Sequence, residues 1–402
     1  PQPLPVRARA IEALGAIAPA GAQTAPLRAA AGRSDNPLLR RAAVRAYRAA
    51  GRADAVAGFL KDESAAVRIA AVRAAGALRC ADCVDAVFSE MLAAPMDPVD
   101  DGAPPAARYP EARMYVAARR SLRQIGTDAV AQRAAAFLSK NAKGIEALAP
   151  RQTGRLPRNA RSAAWLLGEL GSSAAQPLLV RWVAPPGAGG LKLDNPVKAA
   201  GADALGNIGD PAAVAPLRAE LQRCPGKALE YLRSLNKMPP PYVEWDEPTA
   251  CALIRALARL KASEAAPDIL ALANVGLKQG DSVIRLTDGP VAAARALPEL
   301  VTDANRPAVV AGIVQGLEPS YGHLPHYAYA RAAGLLKVEP AADALRRILA
   351  EDRKEARIMR AAAWALQEIT GTTPRIGQPK ADLADTWIVR PLPPRRGEGA
   401  GG

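Results

Sequence analysis

The chain predicts an all-α fold: an α-solenoid, a superhelix of about ten helix pairs, carrying loop inserts and an extended C-terminal tail. Three observations predict it. A phrase of the form VRIAAVRAAGAL (67–78) recurs as VRARAIEALGAI (6–17), LRRAAVRAYRAA (39–50), VKAAGADALGNI (197–208) and MRAAAWALQEITG (359–371). Within a copy, small or apolar residues stand three, four, seven and ten positions after a basic residue, which is one face of a helix. Half of the residues are apolar yet only 4% are aromatic. Ala and Leu must therefore supply the core, and small side chains let helices approach to ~8 Å rather than ~10 Å.

Taken in order, the first helices are anchored on Leu14, Tyr47, Ala75, Leu122, Leu167, Leu205, Leu257, Leu297, Leu335 and Leu366, at separations of 28 to 52 residues. Irregular periods of this size are those of helix-pair arrays. Asn36, Asp62 and Asn195 precede first helices as caps. Either the Gly eight positions after the basic residue, or the Gly that ends the phrase (Gly126, Gly171, Gly209, Gly371), turns the chain in a left-handed cap. Second helices follow in AAQPLLVRWV (174–183), PAAVAPLRAEL (211–221) and PAADALRRIL (340–349). Pro211 and Pro340 stand near their starts, where a missing N–H costs nothing. The array occupies residues 1–371. Residues 372–402 have no helical period and read as an extended, partly disordered tail, pinned at Trp387 and Ile388. The sequence opens Pro1-Gln2-Pro3, without Met or a basic-then-apolar leader. This is read as a removed leader or a start inside a longer protein.

The pattern D/N-x-x-V-R-x-A-A-x-A-L-G, seen best in KDESAAVRIAAVRAAGAL (61–78) and NPVKAAGADALGNIGDPAAVAPL (195–217), resembles HEAT repeats, in particular the short bacterial HEAT-like type. The resemblance covers most of residues 5–371. It implies second helices lining a concave face. It also implies a ladder between repeats, made by an Asp before the first helix and a basic residue here found at Arg7, Arg40, Arg68 and Lys198. Tyr115, Ala160, Ala250 and Pro290 interrupt that ladder. The likeness speaks to fold more than to function. The HEAT-repeat di-iron hydroxylases are disfavoured by the absence of His-Glu pairs, and nothing specific marks the HEAT-like bilin lyases.

Inserts separate the repeats. Residues 93–110 are Pro-rich and acidic; residues 140–159 are basic; 184–196 is Gly- and Pro-rich. Residues 224–248 read as a short helix and an extended segment, 275–290 as a small hairpin, and EPSYGHLPHYAYA (318–330) as an aromatic loop in which Pro325 interrupts a helix. Loops on one edge of a solenoid commonly carry binding. Tyr231, Tyr242, Trp245, Tyr321, His323, His326, Tyr327, Tyr329 and Trp387 are therefore expected to anchor a partner, or else to fold the inserts back onto the solenoid.

Chemical motifs are few. His323 and His326 are the only histidines and lack a third metal ligand nearby. Residues 97–102 do not match a calcium loop, and residues 187–192 lack Walker spacing. No catalytic, cofactor or metal residue is assigned. Four cysteines allow three pairings. Placement around turns favours Cys80–Cys83 with Cys224–Cys251, against four free thiols. Disulfides would put the protein in the periplasm or outside the cell; free thiols would leave it cytoplasmic. No apolar run approaches the ~20 residues of a membrane span. The net charge of +14 invites acidic partners, or reflects an Arg-rich solvated surface. The expected function is a non-catalytic protein-interaction scaffold or accessory subunit. The alternative is nucleic-acid binding, resembling the HEAT-like alkylpurine DNA glycosylases, through Arg181, Trp182, Arg218, Arg346 and Arg347 on second helices. A continuous basic stripe would favour nucleic acid; a mixed face would favour protein.

Overall fold

A computed structural model describes residues 2–17, 25–94, 110–149, 151–193, 195–235, 237, 241–279, 282–321, 323–350, 356–372 and 374. The expected tail, with Trp387, lies outside them apart from residues 372 and 374. Among the described residues the elements are helices apart from one hairpin. They run α1 (Leu4–Ile17), α2 (Ala25–Gly32), α3 (Pro37–Ala49), α4 (Ala53–Ala57), α5 (Ala65–Ala77), α6 (Val84–Ala93), α7 (Pro110–Ile125) and α8 (Asp128–Lys140). Then come α9 (Ala142–Glu146), α10 (Arg155–Glu169), α11 (Gln176–Val183), α12 (Pro196–Ile208), α13 (Val214–Leu221), α14 (Cys224–Ser234), α15 (Glu247–Arg259) and α16 (Ala266–Ala273). The hairpin β1 (Gly276–Gln279) and β2 (Ser282–Arg285) precedes α17 (Asp288–Leu300), α18 (Arg306–Gln315), α19 (His323–Leu336), α20 (Ala342–Ala350) and α21 (Ala356–Thr370).

Two rows result, as in a HEAT-like helical repeat protein. The first helices α1, α3, α5, α7, α10, α12, α15, α17, α19 and α21 pack in sequence; α2, α4, α6, α8, α11, α13, α16, α18 and α20 form the second row. The core between them is one continuous cluster from Val44 to Leu366.

The glycine eight positions after the basic residue proves to be a packing position. A Cβ on Gly15, Gly76, Gly168 or Gly206 would lie 2.5 to 2.8 Å from the Cα of Ala46, Ser121, Ala204 or Ala256 on the next first helix. Backbone meets backbone there, and nothing larger than hydrogen fits. The phrase-ending glycines are the left-handed caps: φ is +63° at Gly126, +62° at Gly171, +82° at Gly209 and +71° at Gly371. Arg79, Lys261 and Lys337 take the same conformation without glycine, at φ +52°, +54° and +51°.

These turns correct one anchor. The amide one residue after the left-handed position is expected to donate to a carbonyl near the helix end. Arg52 N–H reaches Tyr47 O, Cys80 N–H reaches Ala75 O, Ser172 N–H reaches Leu167 O and Ala262 N–H reaches Leu257 O, each within 2.9 to 3.0 Å. In α19 the same bond joins Val338 to Ala333. Gly334 meets Trp364 and Ala365 as the other glycines meet their neighbours. The anchor of the ninth repeat is thus Ala333, and Leu335 is 58% exposed.

Of the expected caps, Asn36 and Asn195 form, while Ser64 stands at the cap of α5 in place of Asp62; of the expected rungs, only Arg40 reaches an Asp before the next first helix among the described residues. Asn36 and Asn195 accept the Leu38 and Val197 amides at 2.9 Å. Asp62 accepts Ser64 N–H at 2.8 Å and a two-pronged bond from Arg40, at 2.8 and 3.0 Å. Arg68 donates to Asp62 O and pairs with Glu90 at 3.2 Å. Lys198 is fully buried; its Nζ donates to Leu191 O at 2.6 Å and to the buried Glu220 at 2.7 Å. Arg7 is exposed.

The expected hairpin forms, with Gly276 opposite Arg285 and Gln279 opposite Ser282. So does the short helix of the 224–248 insert, Cys224–Ser234, and residues 241–246 run without regular structure to the start of α15. The 318–330 segment is no loop: after a short 3₁₀ turn, α19 starts at His323. Pro325 lies in its first turn, where proline removes no internal hydrogen bond.

Candidate functional site

The bonded cysteines answer to a turn that four repeats share. Cys80 and Cys83 are bonded. Cys80 precedes and Cys83 ends a 3₁₀ turn, Ala81–Cys83, between α5 and α6. The turns Pro211–Ala213, Ser263–Ala265 and Glu339–Ala341 occupy the same place in other repeats. There the residues equivalent to Cys83 are the buried Ala213, Ala265 and Ala341, and those equivalent to Cys80 in the last two are the buried Ala262 and Val338. The disulfide replaces an apolar contact inside a structural turn. The expected Cys224–Cys251 bond is corrected: both thiols are free and buried. Cys224 opens α14 and its thiol donates to Glu220 O at 3.5 Å, while Cys251 lies within α15. Burial pushes the Cys251 thiol up to about 12 and the Cys224 thiol up further, so both stay protonated and inert.

The aromatic inserts fold back on the solenoid. Trp245, Tyr321, His326 and Tyr329 are buried, so the expectation that they face a partner is corrected. Their contacts explain it. Leu193 N–H donates to Glu244 at 2.9 Å and Arg151 to Trp245 O at 3.1 Å, which joins three inserts to one another. Tyr321 donates to Asn274 at 2.8 Å, lies under the Arg285 guanidinium at 4.1 Å and meets Tyr329 edge-on at 6.0 Å. His326 Nε2 and Glu318 O are 2.7 Å apart. Tyr231 and Tyr327 are half-buried against the core. Tyr242 alone of the described tyrosines in this set is exposed, at 61%. The His323 side chain lies outside the described residues.

Most of the second-helix residues expected of a nucleic-acid site are also otherwise engaged. Trp182 is fully buried. Arg181 pairs with Glu146, Arg218 with Asp268 and Arg346 with Asp343, and Arg347 alone of the five is exposed without an ion pair among the described residues. That face is mixed in charge.

The first-helix row holds a feature the sequence reading missed. The residue two before each anchor lies on the outer side of the row: Arg45, Arg73, Arg120, Arg255, Arg295 and Arg331 are exposed, while Glu12, Trp165, Asp203 and Trp364 are half-buried, the two tryptophans packed against the core. The signal was present as a second arginine, five positions after the first, in VRIAAVR and LRRAAVR. Neighbouring members pair: Arg45 with Glu12 at 2.6 Å, and Arg255 with Asp203 at 2.7 Å.

Three grooves open on this face. One of about 500 Å³ lies between α5 and α7, walled by Arg79, Arg120 and Arg123 over Gly76 and Ala77. A second, about 360 Å³, lies over α7, α10 and α12 and is lined by Tyr115, Arg119, Arg158, Arg161, Trp165 and Asp203. A third, about 520 Å³, separates α15 from α17, with Arg255, Arg259 and Arg295 facing Asp288 and Glu299. The second exists because the repeat pattern breaks there. Arg123 stands at the packing-glycine position of α7, and Tyr115 replaces the ladder base. Long side chains fill the gap: Arg119 stacks 3.9 Å from the Trp165 ring, Arg158 stacks 4.4 Å from Tyr115, and Tyr115 bonds Ser162. Burial leaves Arg119 below its ordinary pKa, outweighing the pull of Tyr115 and Glu169, with a smaller push from the like charge of Arg161. Among the described residues no three His, Cys, Asp or Glu side chains converge, and no helix is long and apolar enough to cross a membrane.

No protein-family model matches the chain, and no curated protein does. Among solved structures, it is similar to one of the complex of CpcE and CpcF of phycocyanin lyase from Nostoc, at 18% identity and a TM-score of 0.33, covering 79% of this chain and 94% of that one. An engineered protein is similar at 17% identity and a TM-score of 0.34, covering 92% and 96%. Human deoxyhypusine hydroxylase in complex with glycerol is similar at 15% identity and a TM-score of 0.24, covering 74% and 99%. At these identities and scores no role passes from them to this chain.

Proposed function

We propose that the chain is a non-catalytic scaffold or accessory subunit of the bacterial HEAT-like type, which holds a partner protein against the exposed face of its first helices. The observation that carries this reading is the outward column from Glu12 to Trp364. It presents one polar or aromatic side chain per repeat on a row whose spacing is set by backbone contacts. Such a row places many weak contacts at fixed intervals, and a partner reading several gains affinity from their number. Apart from the exposed Tyr242, the described aromatics of the inserts are spent on internal packing, so binding area falls mainly to the helices. The alternation of Glu12, Asp203 and Glu299 with arginines favours protein over nucleic acid. The Cys80–Cys83 disulfide supports an oxidising compartment, periplasmic or extracellular.

The test is native purification of the wild type beside Arg255→Ala/Arg295→Ala/Arg331→Ala and, separately, Tyr242→Ala. One protein should accompany the wild type and Tyr242→Ala in fixed ratio and be lost from the triple variant. Equal recovery from all three would reject the assignment of this face.

A further inference from the structure

The outward column is not uniformly compensated. Arg45 and Arg255 have carboxylates beside them, whereas Arg73 and Arg120, and Arg161 one turn before Trp165, are exposed and make no ion pair among the described residues. These three belong to consecutive first helices, α5, α7 and α10. Between the first two lies the groove walled by Arg79, Arg120 and Arg123, with no carboxylate in its lining. Arg161 borders the next groove, where Arg119 is stacked on Trp165. Arg123 is neutralised by Glu169 at 2.5 Å. Like charges are therefore gathered over three repeats and left to solvent, which costs energy that a bound anion would recover.

We propose that the strip of the first-helix face from α5 to α10 docks an acidic segment of the partner protein, with its carboxylates on Arg73, Arg120 and Arg161; this rests on the scaffold reading above. Guanidinium groups take carboxylates in two-pronged geometry. The choice of a peptide over a nucleic acid comes from Glu169 and Asp203, which lie within and at the end of the strip. A nucleic-acid strand carries a charge at every phosphate, one per ~3.4 Å of helix axis in each strand of a duplex, and meets both. A peptide can space its carboxylates to avoid them and set an apolar side chain against Trp165.

The probe is a fluorescein-labelled 16-residue polyglutamate, titrated by anisotropy in low and in physiological salt beside a 16-nucleotide oligothymidine. Arg73→Glu/Arg120→Glu/Arg161→Glu should weaken polyglutamate binding by about ten-fold or more, from three exposed pairs lost. Lys140→Glu/Lys192→Glu/Arg233→Glu, with the same change in net charge away from the strip, should weaken it less than about two-fold. The neutral Arg73→Gln/Arg120→Gln/Arg161→Gln should fall between wild type and the Glu triple. Equal losses in both charge-reversed variants, or no binding by the wild type, would overturn the proposal. Tighter binding of oligothymidine with the same dependence would assign the strip to nucleic acid instead. Each of these outcomes leaves the co-purification test at Arg255, Arg295 and Arg331 standing by itself, so the two readings fail separately.

Discussion

At the residue scale, the cysteine assignment gives a count. Alkylation of the native protein should modify no thiol. In denaturant without reductant it should modify two, Cys224 and Cys251, and after reduction four, by intact mass. Four in denaturant alone would remove the Cys80–Cys83 bond and the case for an oxidising compartment; none would restore a second disulfide. The left-handed turns give a second expectation. Lys261→Gly and Lys337→Gly should each raise stability by about 1 kcal/mol, since a Cβ in that conformation costs about as much; unchanged melting would contradict it. Asp62 gives a pH dependence. Burial pushes its carboxyl up, but hydrogen bonds from Arg40 and the Ser64 amide, with the charges of Arg40 and Arg68, outweigh that and hold it below its ordinary value. A lowered folded pKa means that the contribution is complete above about 3.9 and is lost as pH falls through the folded value. Asp62→Asn should therefore flatten the acid limb of a denaturation-versus-pH curve; an unaltered limb would contradict the rung. The caps and the turn glycines were legible because they depend on neighbours in sequence. The burial of Trp245 and Tyr329 was not, since an aromatic in an insert reads the same whether it folds inward or out.

At the element scale, glycines separate packing from propensity. Gly76→Ala, Gly168→Ala and Gly206→Ala should each destabilise by about 1–3 kcal/mol, as overpacked contacts do, despite the helix-propensity gain of about 1 kcal/mol. Gly226 lies in α14 with nothing within 4 Å of an added Cβ, and Gly226→Ala should stabilise by up to about 1 kcal/mol. Chemical denaturation decides both; a uniform gain would show that the first helices do not touch through glycine. The hairpin and the 224–248 insert could be read from sequence, because turn residues and proline runs act locally. The start of α19 could not: Pro325 signals a break only if the helix has already begun. The ninth anchor slipped by two because Leu335 is the more apolar candidate, whereas the contact that fixes the register is made by Gly334 on a helix about thirty residues away.

At the scale of the whole molecule, one row of helices is packed through its smallest residues while its outer side carries its charge. The sequence announces the repeat, but the outward column emerges only when ten helices are set in one register. The central claim is that a partner lies along that column. Arginine footprinting with phenylglyoxal, comparing the isolated chain with its native assembly, tests it most directly. Arg73, Arg120, Arg255, Arg295 and Arg331 should be protected in the assembly, with Arg233 and Arg347 modified equally in both; protection confined to Arg233 and Arg347, or absent from the first helices, would contradict it.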